Sequence, residues 1–375
     1  MANRTSRISG QQIARFRLRR HHLLHEKPAD LVTICRDVCG VQAQIMQPAY
    51  LQLWGRNHAL SRADIQGALW KEKTLVKTSL MRQTLHLVST NEFALYIAAL
   101  RDVRVAQALR VMARCGVNRD EGEALTPLIM EALARQPLGR KAIADAVRPK
   151  VSKRVRRFME LSWSMIRVPV AQGLVCYGAG EGNEVVFSRV DRWLPEMKVN
   201  PIDAATAQRE LFLKYLRAYG PATLRDFAHW SGISMQEVKR LQAMVGAEVV
   251  EVDVEGGTWL LMRDDLPALR SERETKPCIR LLPHFDVYLL AHRDKQHLLS
   301  AAHYKRVYRN QGWISPVVLV DGEILGVWSY KAEKNKVIIS VDAFGKLSKP
   351  VRAGIEQEAE GVAKFLGGAL QLRRG

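Results

Sequence analysis

One pattern limits what this chain can fold into more than any single motif does: helical segments followed by a two-stranded ribbon, in that order, three times. Apolar spacing at Ile13, Phe16 and Leu24 predicts a first helix over about 10–25. Asp30 is an N-cap candidate for a second helix running to Cys39, where Gly40 supplies a stop. A third is expected near 48–58, and Ser61-Arg62-Ala63-Asp64 has a capping pattern that starts another through Trp70. Residues 74–89 then read as two strands joined near Met81-Arg82-Gln83. The second pass has two helices over 123–147, broken at Gln136-Pro137-Leu138-Gly139, and a basic helix over 152–168. Its ribbon is 173–177 and 185–190 around the turn-rich 178–183. The third pass has a helix ending at Tyr219-Gly220-Pro221, short helices over 223–231 and 234–245 around Gly232, and strands 247–254 and 258–262 around Glu255-Gly256-Gly257. Helices followed by a β-ribbon make a winged helix, a helix-turn-helix variant. The repeat is one of element order, without a strict residue period.

Beyond residue 268 the pattern changes. Strand signals at 279–282, 287–290, 317–320, 324–330 and 336–341 alternate with turns, Asp321-Gly322 being a strong hairpin signal, and an amphipathic helix closes the chain over about 350–367. The expected fold is α+β: tandem winged-helix units at 1–115, 116–200 and 201–268, followed by a small antiparallel C-terminal β-domain at 269–375. A chain of 375 residues buries a sizeable core without covalent staples. Its five cysteines are odd in number and form no C-x-x-C pair, which argues against a disulfide framework; Cys35 and Cys39 read as core. No apolar run approaches the ~18–20 residues a bilayer requires. Residues 1–10 are polar and lack a secretory core. The expected location is the cytoplasm, with no membrane partner.

Fifty-seven Lys and Arg against 38 Asp and Glu leave a net charge of +19, which favours a polyanionic partner. Arg4, Arg7, Arg15, Arg17, Arg19 and Arg20 all precede the first acidic residue, Glu26. Lys150, Lys153, Arg154, Arg156 and Arg157 crowd one short stretch, with Arg154 and Arg157 on one helical face. Like charges at that spacing oppose a helix, and phosphates would relieve them; a merely solvated face is the plainer alternative. Three winged helices with this charge read as a nucleic-acid binder.

Gln42-Ala43-Gln44 follows the Gly40 stop. On an α-helix two such glutamines point apart, about 200° around the axis; in an extended chain they point the same way. Side by side, two amides hold one water through a donor and an acceptor each. Taken alone, glutamine pairs more often face solvent or cap backbone. His284, Asp286, His292 and Asp294 superficially look like metal ligands, with His284 and Asp286 on one face of an alternating strand and His292 and Asp294 likewise. Structural polar contacts are the better reading, so no metal is expected. Gly178-Ala179-Gly180 lacks the following helix of a dinucleotide site, so no cofactor is expected either. Trp163, Trp230 and Trp328 read as core.

Gln42-Ala43-Gln44 resembles the Q-Φ-Q motif (Φ apolar) of the AlkZ-type DNA glycosylases. So do Arg82-Gln83-Thr84-Leu85-His86-Leu87-Val88, Asp226-Phe227-Ala228-His229-Trp230-Ser231-Gly232, and Leu281-Leu282-Pro283-His284-Phe285-Asp286 with His292-Arg293-Asp294, in consistent order from about 10 to 345. The resemblance implies tandem winged helices with a C-terminal β-domain, excision of N-alkylated purines from double-stranded DNA, and, in some members, unhooking of interstrand crosslinks. It implies that Gln42 and Gln44 are the catalytic pair; the related YcaQ branch has Asp at the second position. His86, Arg82, Thr84, Lys153, Arg154, Arg157 and Arg293 are the site-lining or DNA-contacting candidates. Gln83 departs from the pattern, since the family commonly has Gly there. No lysine nucleophile is assigned, so the expected enzyme is monofunctional, and its asymmetric layout suits a monomer. A hairpin that wedges into the duplex is sought near 173–190 or 275–300. The rival reading is a noncatalytic winged-helix regulator, which leaves the glutamine pair idle.

Overall fold

The computed structural model describes residues 8–161, 163–180, 185–197, 202–254, 256–273 and 276–374. Arg4, Arg7, residues 181–183 of the expected hairpin turn and Glu255 lie outside the described residues, as does the side chain of Trp163. The chain packs as two compact units. One comprises 1–65, 212–230 and 234–375; the other comprises 66–211 and 231–233. Helices and mainly antiparallel sheets make up both, the mixed α and β content that the element order implied.

In the first unit, helix Gly10–Arg20 begins at a reciprocal cap: Ser9 accepts from the Gln12 amide while the Gln12 side chain accepts from the Ser9 amide. Its apolar face buries Ile13 and Phe16 against Val252, Val254 and Leu261 of a hairpin, Val249–Val254 with Gly257–Met262. Helix Leu31–Asp37 is capped by Asp30, which accepts from the Thr33 amide at 2.7 Å. Phe212, Tyr215, Tyr219, Phe227 and Trp230 stack into one aromatic cluster.

The sheet of this unit has five strands, in the order Ala369–Arg374, Lys336–Ala343, Glu323–Ala332, Val317–Val320, Ile279–Leu282. Asp321 and Gly322 take φ of 50° and 93°, the two left-handed residues of a tight hairpin turn, and set Val320 opposite Glu323. Trp328 is buried in this sheet and donates to the Leu282 carbonyl at 2.9 Å. Two expectations are corrected here. The final strand, absent from the sequence reading, is parallel to Lys336–Ala343, because helix Lys349–Phe365 carries the chain back to the same edge. Its signal was the short alternation Leu370-Gln371-Leu372-Arg373. Residues 287–290 are not a strand. Phe285 is left-handed (φ 59°), Asp286 accepts from the Tyr288 amide at 3.0 Å, and Val287–Leu289 is a single 3-10 turn. The shared-face argument for His284 with Asp286, and for His292 with Asp294, therefore does not hold. Nor does 276–300 contain a hairpin.

In the second unit five strands run antiparallel in the order Leu85–Ser89, Leu75–Ser79, Val175–Gly178, Val186–Arg189, Leu138–Gly139. Among the helices of this unit are Phe93–Arg114, Arg119–Ala132, Arg140–Val147 and Lys153–Leu161. Their inner faces supply Met112, Leu125, Ile129, Ile143 and Phe158 to one core that reaches Val175 and Phe187 of the sheet. Among the described residues, no helix is long and apolar enough to cross a membrane.

Candidate active site

The glutamine pair is set up by the end of a helix. After Leu31–Asp37, Cys39 and Gly40 both take left-handed φ, 56° and 87°. The Gly40 amide donates to the Cys35 carbonyl at 2.7 Å and the Val38 amide to the Ile34 carbonyl at 3.1 Å, which closes the last turn. The Tyr219 hydroxyl donates to the Val38 carbonyl at 2.7 Å. The chain emerges extended as Val41–Gln42, the geometry that a preceding glycine favoured, and bends at Gln44 before helix Met46–Trp54. Val41, Gln42 and Ala43 are buried, and Gln44 is exposed. One amide of the pair lies in a low-dielectric wall, where its dipole is poorly screened, and the other lies at the surface.

A buried polar chain anchors this strand. Gln52, fully buried, donates through Nε2 to the Gln42 carbonyl at 3.0 Å, and its Oε1 accepts from the Val287 amide at 3.3 Å. One turn on, Arg56 donates to the Gln52 carbonyl at 2.9 Å and grips Asp286 with both terminal nitrogens, at 2.9 and 2.8 Å. Neither charged side chain has any exposed surface. Burial opposes the Arg56 charge, but the facing Asp286 carboxylate outweighs it and raises the pKa. A dry ion pair of this kind is tolerable because both carboxylate oxygens accept hydrogen bonds. The sequence reading missed Gln52 and Arg56. The available signal was a glutamine inside the otherwise apolar run Ala49-Tyr50-Leu51-Gln52-Leu53-Trp54, with an arginine four residues later.

Other members of the suspected set have structural contacts. His284 donates through Nδ1 to the Ile314 carbonyl at 2.8 Å, and His292 meets the Tyr219 carbonyl through Nε2 at 3.0 Å. The Asp226 carboxylate accepts from the amides of Thr223 and Arg293 at 2.9 and 2.7 Å. Arg293 itself is exposed.

In the second unit His86 is buried mid-strand opposite Thr78. Its Nδ1–H donates to the Thr84 carbonyl at 3.0 Å, which makes Nε2 an acceptor, and Nε2 has no partner among the described residues. Burial pushes this imidazole down to about 3, with Arg82 and Arg104 adding to the effect, so the ring is neutral at physiological pH. The preceding turn holds Arg82 and Gln83 at φ 53° and 62°. That left-handed geometry is a physical reason for a glycine at position 83 in the resembled family. Arg104 braces the turn by donating to the Leu80 carbonyl and to Ser79 Oγ. The Thr84 hydroxyl is committed to the Met81 carbonyl at 3.1 Å.

The basic stretch divides. Arg154 pairs with Glu121 at 2.9 Å, Lys150 with Glu131 at 2.6 Å and Arg148 with Glu160 at 2.9 Å. Lys153 and Arg157 are exposed and have no acidic partner among the described residues. The charge-crowding argument for phosphate thus applies to these two, since Arg154 is already relieved within the chain.

The family model "DNA glycosylase AlkZ-like" matches residues 35–365. The chain belongs to the AlkZ-like DNA glycosylase family. It is 30% identical, over 380 residues, to the interstrand DNA cross-link repair glycosylase of Streptomyces sahachiroi, with 96% of this chain and 97% of that one covered. The solved structure of DNA glycosylase AlkZ from the same organism superposes with a TM-score of 0.87 at 28% identity, covering 98% of this chain and all of that one. The AlkZ-like membership thus rests on sequence and on fold over nearly the whole length.

Proposed function

We propose that this AlkZ-like protein is a monofunctional glycosylase that hydrolyses the N-glycosidic bond of cationic N-alkylated purines in double-stranded DNA, with Gln42 and Gln44 positioning the water. The observation that carries this reading is the pairing of a buried Gln42, its carbonyl anchored by Gln52, with an exposed Gln44 at the bend two residues on. In the reaction the bond from C1′ to the purine nitrogen breaks and its electrons neutralise the cationic base. Water adds to C1′ and gives up a proton to solvent. The sugar passes through an oxocarbenium-like state. A base that leaves neutral needs little acid assistance, so two amides suffice: their carbonyls orient the water and face the developing positive charge. A neutral base such as uracil leaves poorly and gains little from such a site.

The name of the Streptomyces sahachiroi relative extends the proposal to the unhooking of interstrand crosslinks. His86, with Arg82 and Thr84 in its turn, is assigned to lining the site; its Nε2 acceptor is buried, so a DNA donor reaches it only if the turn opens. Lys153, Arg157 and Arg293 are assigned to phosphates; Arg154 joins them only by exchanging Glu121. The winged-helix reading of the three helix-and-ribbon passes, their division into four modules, and action as a monomer belong to the same proposal.

The test is release of free base from N7-methylguanine DNA under single-turnover conditions. Gln42→Ala and Gln44→Ala each lower the rate by ~100-fold or more, the scale of an electrostatic stabiliser, while DNA affinity changes little. Equal rates on uracil and N7-methylguanine DNA refute the narrow substrate range. Borohydride trapping of an enzyme–DNA adduct refutes the monofunctional assignment.

A further inference from the structure

One exposed aromatic in the first unit has no role in the chemistry above. Trp313 ends a tight reversal, Arg309-Asn310-Gln311-Gly312-Trp313. The Arg309 amide donates to the Trp313 carbonyl at 2.8 Å, the Trp313 amide returns to the Asn310 carbonyl at 3.3 Å, and Tyr308 bridges Ile314. Gln311 and Gly312 supply the left-handed φ, 58° and 75°, that the reversal needs. Trp313 keeps 39% of its surface in solvent. It is nevertheless held: the rings of His284 and Phe285 contact it at 5.1 and 5.0 Å, crossing at 63° and 79°. His284 is itself fixed by its bond to the Ile314 carbonyl at 2.8 Å. A large, oriented indole left open at the end of a hairpin forgoes part of the apolar burial its size would bring.

The charge around it selects a partner. No acidic residue occurs between Asp294 and Asp321, a stretch that carries Lys295, Lys305, Arg306 and Arg309. Lys295 is buried and bonded to backbone carbonyls, and Arg306 pairs with Asp342. Lys305 and Arg309 are exposed and have no acidic partner among the described residues. Tyr304, also exposed, stacks on Tyr308 at 5.0 Å. Aromatic faces interleaved with unpaired cations suit a strand of nucleic acid, in which bases stack and phosphates pair. They do not suit an apolar protein surface, which would strand both cations.

We infer that the Arg309–Trp313 hairpin is a base-stacking tip: Trp313 packs against a nucleobase left unstacked in opened or gapped DNA, and Lys305 and Arg309 hold the flanking phosphates. This rests on the reading of the chain as a DNA-acting protein, but not on the glutamine chemistry. The measurement is affinity by fluorescence anisotropy for two duplexes, one intact and one with a tetrahydrofuran abasic analogue opposite 2-aminopurine. Trp313→Ala should bind the abasic duplex roughly 5- to 150-fold more weakly, the loss expected for one stacked base. Its affinity for the intact duplex should change less than twofold, and Trp313→Phe should retain most of the abasic affinity. Lys305→Gln and Arg309→Gln should each lower the log–log salt slope by about 0.9. Quenching of 2-aminopurine by wild type and not by Trp313→Ala supports direct stacking. Wild-type-like abasic affinity in a folded Trp313→Ala overturns the inference alone. Failure of the wild-type protein to bind either duplex overturns the DNA-acting reading with it. An equal loss on both duplexes overturns the inference in favour of general contact.

Discussion

Removing one member of the Arg56–Asp286 pair leaves the other charge in a dry interior. Arg56→Met is therefore expected to cost about 3–5 kcal/mol in urea unfolding, far more than loss of an exposed pair such as Arg119–Glu123. Arg56→Met combined with Asp286→Leu should recover most of that loss, because no orphaned charge remains. A single variant within 1 kcal/mol of wild type would show that the pair is not an anchor. Base release should fall in the single variant beyond what its folded fraction explains, since Arg56 supports Gln52 and Gln52 holds the Gln42 carbonyl. Gln83→Gly tests the turn before His86: relief of a left-handed side chain should raise stability by about 0.5–1 kcal/mol, net of added freedom in the unfolded chain. A loss of stability in urea titration would mean that the Gln83 contact with Arg167 outweighs the strain.

At the level of elements, the Asp321-Gly322 turn seats one strand pair against the first helix. A Cβ added at Gly322 would lie 2.7 Å from the Ala14 Cβ, on a residue with φ 93°. Gly322→Ala should lower stability by about 2–3 kcal/mol, from steric overlap and backbone strain together; an unchanged urea midpoint would mean the turn can shift freely. This turn was legible in the sequence because its two residues carry their conformational preference locally. The same holds for the cap at Asp30, for the stop at Gly40 and for the ribbon 75–89, each set by near neighbours. What escaped depends on distant partners. Residues 287–290 have a strand's composition, yet the turn is set by Asp286, whose carboxylate is committed to Arg56, 230 positions earlier. The final strand exists because Lys336–Ala343 offers an edge. In the candidate site the two glutamines were visible as a short pattern. Their supports, Gln52 and Arg56, left only a polar residue inside an apolar run and an arginine four residues later, and what such residues bind is unreadable until the distant partner, Asp286, is known.

Across the whole molecule, neutral imidazoles are built into both units. Burial holds His21 and His292 well below the ordinary histidine value and His86 at about 3, with nearby arginines adding to each. A histidine depressed in the folded state favours folding above its unfolded pKa of about 6.5 and costs stability as the pH falls below it. Each of the three contributes up to ~1.4 kcal/mol per pH unit in that window, which for His86 extends down to about 3. The urea midpoint should therefore drop steadily from pH 6.5 to pH 5, and a flat profile would show that protons are accommodated in place. The division of the chain has a consequence for its synthesis. The second unit is nearly one continuous run, 66–211, whereas the first is assembled from stretches that begin at one end of the chain and finish at the other. On a ribosome adding ~5–20 residues per second, the segment bearing Gln42 and Gln44 waits roughly 15–60 s for Ala369–Arg374 to emerge and complete its unit. During that interval the inserted run can fold while its host is still half made, and the nascent glutamine segment lacks Asp286 and Val287, the distant residues that complete its buried anchor.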